Sequence, residues 1–188
     1  PHIFGDIALL RIVRSRPTAT RQMKLAGHII AARDQSNCCA IYDEIITESL
    51  TLNNMPGSIT CQNSGTFQSN QWLCNDAFGS VVDLLRFGPT NPLAASKVPI
   101  EVYSQLLLYR AEGQAILTDL LSRKSERVIS FVQIIDFTGL GLQHRRMMPF
   151  AKEFVSGQWA RVTPVLASAA FMVGLSPVSR IVLDGILW

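Results

Sequence analysis

The most continuous apolar run in the chain lies over residues 128 to 135, where Val128, Ile129, Phe131, Val132, Ile134 and Ile135 are interrupted only by Ser130 and Gln133. A short run rich in β-branched residues predicts a strand buried on both faces, as in a parallel sheet covered by helices. The run ends on Asp136, and Gly139 and Gly141 follow, residues that let a backbone turn sharply. Open α/β sheets gather their ligands at the carboxyl ends of the strands. Asp136, Gly139 and Gly141 are therefore expected to shape a turn of interest. Asp136 is expected to act there as a clamp, accepting backbone N–H bonds from the residues that follow.

Around that strand the pattern alternates. Leu9, Ile12, Val13 and Arg16 recur at helical spacing and predict a helix over 5–16, broken by Pro17. Thr18 or Thr20 is placed to cap a second helix running to about Arg33, with Met23, Gly27, Ile30 and Ala31 as its apolar stripe. A third helical piece is expected over 38–50, with Ile41, Ile45 and Ile46 inward. Polar residues dominate 51–75, which reads as a long irregular connection, and a short helix is expected over 76–86. Val98, Ile100 and Val102 alternate, predicting a strand over 97–107. A helix over 109–122 follows, with Ile116, Leu117, Leu120 and Leu121 on its buried face. After the central strand come a helix over 147–156, a strand over 165–173 and a helix over 178–188 bearing Ile181. The expected class is α/β: a helical N-terminal region, residues 1–96, then a mostly parallel sheet of order β-α-β-α-β-α over residues 97–188.

Composition sharpens this. Apolar residues make up 48% of 188 residues and charged residues only 16%, so part of the surface is expected to face a lipid, a membrane or a partner chain. The longest apolar runs are too short to span a bilayer, and no secretory leader is expected. A net charge of +3 does not argue for nucleic acid. The cations cluster, at Arg11, Arg14, Arg16, Arg21 and Lys24, at Arg123, Lys124 and Arg127, and at Arg145, Arg146 and Lys152. Such clusters read as solvated faces or as contacts to an anionic headgroup. Cys38, Cys39, Cys61 and Cys74 fit no zinc spacing and read as reduced, buried thiols of a cytoplasmic protein.

Catalytic signatures are missing. Gly139-Leu140-Gly141 follows a strand, but the dinucleotide fingerprint needs a third glycine at position 144, which is His. Neither a Walker sequence nor a G-x-S-x-G elbow is present. His2, His28 and His144 form no metal-ligand pair, and no cofactor or metal is expected. Phe150, Phe154, Phe171 and Met172, with the Met147-Met148 pair, suit either an ordinary core or a wide apolar pocket for acyl chains.

Four segments together resemble the Sec14-like, or CRAL-TRIO, lipid-binding family. Asp136-Phe137-Thr138-Gly139-Leu140-Gly141-Leu142 is similar to the motif ending that family's central strand. Val98 to Tyr103 resembles its first strand, Ala170 to Pro177 the strand that closes on N-A-P, and Leu9 to Arg16 its L-L-R-F-L-R-A-R helix. The resemblance implies a divergent, C-terminally shortened member holding a single lipid in an apolar cavity without enzymatic chemistry. It implies headgroup contacts from basic residues near the strand ends, for which Arg145, Arg146, Lys152 and Arg161 are placed. The expected partners are a lipid or other hydrophobic small molecule and, peripherally, a membrane surface. The competing expectation is a structural or assembly subunit whose apolar surface meets neighbouring chains.

Overall fold

In the computed structural model, residues 11, 16–51, 53–65, 71–77, 79–162 and 167–187 are described. Among them the elements are α1 (Ala19–Gln35), α2 (Cys38–Thr47), α3 (Ser58–Asn63), β1 (Gln71–Asn75), β2 (Val81–Arg86), α4 (Pro92–Ala95), α5 (Ile100–Ser125), β3 (Phe131–Asp136), a 3-10 turn (Leu142–Met147), α6 (Met148–Ser156), α7 (Gln158–Val162), β4 (Ala167–Val173) and α8 (Pro177–Leu187). The sheet has the order β1-β2-β3-β4. β2, β3 and β4 run parallel and β1 is antiparallel at the margin. The class is α/β, with a helical N-terminal region ahead of a mostly parallel sheet.

The apolar run before Asp136 is the inner strand β3, held between same-direction neighbours. Its burial is one-sided, however. Phe131 and Ile135 are buried, whereas Val132 and Ile134 are only half-buried. The parallel register aligns Val81, Asp83 and Leu85 with Phe131, Gln133 and Ile135 on one face. That face carries the helices: Leu85 packs with Tyr103, Leu106, Phe150 and Phe154, and Val81 and Phe131 pack with Leu117 and Leu121.

Two expected elements are corrected. Residues 97–107 are not a strand, because Ile100 opens α5, a single helix continuing to Ser125. Residues 76–86 are not a helix, because Val81–Arg86 is β2. Both errors have one cause. α5 is buried on opposite sides, with Arg110 paired to Asp83 on β2 and Glu112 paired to Arg33 on α1. A helix covered on two sides loses its apolar stripe, and a charge inside β2 breaks the run that would announce a strand. The sheet therefore starts ahead of residue 97, and the stretch 51–75 holds α3 and β1.

Several side chains also lie elsewhere than expected. α1 begins where Thr18 accepts from the N–H of Arg21, but it buries Ile29 and Arg33 while Met23, Gly27, Ile30 and Ala31 face out or nearly so. Ile41 and Ile45 are inward and Ile46 is exposed. Leu120 and Ile181 are exposed too. Arg11 belongs to no solvated face: it is buried, with Nη1 2.9 Å from Asp119 Oδ1 and Nη2 3.0 Å from the carbonyl of Ile129. Of the helix expected over 5–16, residues 5–10 and 12–15 lie outside the described residues. Cys38, Cys39 and Cys61 are free thiols, with Cys39 exposed rather than buried. Burial pushes the Cys38 thiol up to about 12 and the Cys61 thiol up to about 11.

Candidate functional site

The parallel strands all end at one edge of the sheet, where their turns interlock. The Phe87 N–H donates to the carbonyl of Asp136, and the Phe137 N–H donates to that of Val173. Phe87 stacks on Phe137 with ring centroids 5.6 Å apart and meets Phe154 edge-on. Gly139 takes a φ of +86° and uses the left-handed freedom of glycine. Gly141 does not: its φ of −122° is extended, and it opens the 3-10 turn instead. The expectation that both glycines bend the chain is corrected on that point.

The tightest approach is at Gly88, where an added Cβ would lie 1.7 Å from the carbonyl oxygen of Thr138. Gly88→Ala must push two turns apart and is expected to destabilise the protein by about 1–3 kcal/mol. Gly141 has nothing within 4 Å of a built Cβ, so Gly141→Ala is expected to stay within about 0.5 kcal/mol of the parent. Urea denaturation of the two variants checks the contrast. Equal midpoints would show that the turns are not packed as described.

Asp136 acts as the expected clamp. Its Oδ1 accepts from the Thr138 N–H at 2.9 Å. Hydrogen bonds from the Thr138 side chain and backbone hold its carboxyl below the usual range, helped by nearby Arg86. Arg86 Nε stands 3.8 Å from Asp136 Oδ2, an ion pair too long for a hydrogen bond. His144 is buried: its Nδ1 accepts from the Gly141 N–H at 2.9 Å, and its Nε2 has no partner among the described residues.

The face of the sheet turned away from the helices carries Val82, Leu84 and Arg86 on β2, Val132, Ile134 and Asp136 on β3, and Phe171 and Val173 on β4. Leu84, Val132 and Ile134 are half-buried and Phe171 is 56% exposed. Val82 is buried, and none of Val82, Leu84, Val132 and Ile134 belongs to the two core clusters formed with the helices on the other face. Their own face is an apolar wall whose carboxyl end is marked by Arg86 and Asp136.

The basic and apolar residues singled out in the sequence do not come together as one set. Phe150 and Phe154 are buried in the helical core, with Phe150 edge-on to Tyr103 at 5.1 Å. Phe171 and Met172 are exposed on β4 and, being consecutive, point to opposite faces. Arg145, Arg146, Lys152 and Arg161 are exposed. Arg161 lines an open cleft of about 340 Å³ beside Ser104 and Glu153, which are hydrogen-bonded to each other. A neighbouring cleft of about 540 Å³ continues past Ser104 to Ile41 and Leu108. Leu84, Val132, Ile134 and Arg86 were missed, and strand parity in β2 and β3 is the signal that reveals them.

Among the described residues, no helix is long and apolar enough to cross a membrane, and no three His, Cys, Asp or Glu side chains gather to hold a metal ion. Compared with known proteins, the chain matches no family model and no curated sequence.

Proposed function

We propose that this protein binds or transfers a hydrophobic, lipid-like ligand without catalysing a reaction. The observation that carries the reading is the apolar wall of Leu84, Val132, Ile134 and Phe171, which stays partly open on the face of the sheet opposite the buried core clusters. Acyl chains partition onto such a wall because each buried methylene contributes about 0.8 kcal/mol. The resemblance of Asp136 to Leu142 to the Sec14-like motif supports the same reading. We place such a protein in the cytoplasm, meeting membranes peripherally to collect or deliver its cargo. Native mass spectrometry of the purified protein after incubation with phospholipid vesicles tests this. A bound, exchangeable lipid is expected, and its loss in Ile134→Glu is expected with it. A protein that carries no lipid under these conditions overturns the proposal.

One observation favours assembly as a second reading. The outer edge of β4 pairs with no described strand, and Ala167–Val173 contains neither charge nor proline, although sheet edges are normally guarded by one or the other. Phe171, Met172 and Val173 are exposed along it. Under this reading the edge joins another chain. Light scattering after size exclusion is expected to show an oligomer that Met172→Lys dissociates. A monodisperse monomer for the parent removes the assembly reading.

A further inference from the structure

The apolar wall is not featureless, and the charged pair at its carboxyl end indicates how a ligand lies on it. Arg86, Asp136 and Val173 are in register at the carboxyl end, directly beyond Leu84, Ile134 and Phe171. Arg86 shares the face of Val82 and Leu84 because side chains on a strand repeat every second residue. Its guanidinium side chain is 54% exposed. Its one contact among the described residues is the 3.8 Å ion pair, so its N–H donors remain uncommitted. Asp136 is engaged differently: Oδ1 is already taken by Thr138, and its side chain is only 22% exposed. The carboxylate stays ionised and partly balances Arg86, while the donors that face outward belong to the arginine. Arg145 and Arg146 add exposed positive charge in the 3-10 turn that follows.

Resting on the lipid-binding reading above, we infer that the ligand is an amphiphile with an anionic head, seated head-first on Arg86. Its chain runs along the strands over Ile134 and Leu84 toward Val132. The planar guanidinium suits a carboxylate or a phosphate, which it can hold through two N–H donors at once. A strand of this length spans roughly 20 Å, room for an extended acyl chain. A neutral head gains nothing from these donors and leaves them to water.

The test compares three ligands of one chain length, dodecanoate, dodecyl phosphate and dodecanol, as competitors of a fluorescent fatty-acid probe on delipidated protein. At least one anion is expected to bind about tenfold or more tightly than dodecanol, the gain of charge-assisted hydrogen bonds. The comparison of dodecanoate with dodecyl phosphate decides between a fatty acid and a phospholipid-type head. In Arg86→Met the anion-to-alcohol ratio is expected to fall close to one. In Arg123→Met, an exposed cation at the far end of α5, it is expected to persist. Circular dichroism confirms that each variant is folded. Equal binding of all three ligands by the parent overturns the inference and leaves the lipid reading standing. So does a preference for anions that survives Arg86→Met. Binding of none of the three overturns both.

Discussion

Asp83→Ala is expected to destabilise the protein by about 3–5 kcal/mol, because it removes the carboxylate that balances the buried charge of Arg110. Arg110 Nη2 donates to Asp83 Oδ2 at 2.6 Å, and both side chains are almost fully buried between β2 and α5. Burial pulls the Arg110 guanidinium down from its usual range and Asp83 pushes it back up. A guanidinium does not shed its proton in a protein, so the unbalanced charge has no protonation route out. The asymmetry is the diagnostic. Replacing both partners together, Asp83→Leu with Arg110→Met, removes two desolvated charges and is expected to be nearly neutral or stabilising. Urea denaturation of both variants measures the difference. A single substitution no worse than the double one would mean that Arg110 finds water, and that α5 is not packed on β2 as described.

That pair also explains which parts of the fold the sequence announced. β3 and β4 could be read directly, since their runs are apolar and free of charge. α1 was marked by Thr18, which caps it. The turn after β3 was legible from Asp136 and Gly139 alone, because a carboxylate and a glycine with positive φ do local work that depends on few distant partners. β2 and the first turns of α5 were not legible. Asp83 inside β2 and Arg110 inside α5 are polar in the sequence and become core only when each meets the other, 27 residues apart. Arg11 misled in the same way: it stood in a cluster read as a solvated face or a headgroup contact, yet it is buried against Asp119 of α5, as Arg33 is against Glu112. The candidate site suffered by consequence. Arg86 stands at the end of the apolar wall, but its face is defined only once β2 is known to be a strand. Phe150 and Phe154 read equally well as pocket or core, and their contacts with Tyr103 and Phe87 put them in the core.

The second buried pair gives a response that depends on pH. Arg33 Nη2 donates to Glu112 Oε2 at 2.6 Å and ties α1 to the far side of α5. Burial holds the Glu112 carboxyl above its usual range even with Arg33 beside it. Its charged form is therefore disfavoured in the folded protein relative to the unfolded chain. The resulting stabilisation is complete below the ordinary carboxylate range and is lost as pH rises through the folded value. Arg33→Met removes the attraction that opposes this shift, so the carboxyl climbs further. The variant is expected to lose about 3–5 kcal/mol where Glu112 is ionised, near pH 8, and to recover part of that near pH 5 as the carboxyl takes up a proton. Glu112→Gln is the counterpart. It strands Arg33, which has no proton to give up, so its penalty is expected to stay flat over the same window. Urea denaturation of the parent and both variants at the two pH values separates them. A penalty for Arg33→Met that does not shrink toward low pH would mean that Glu112 is not shielded from water, and that the N-terminal helices are not sealed against α5.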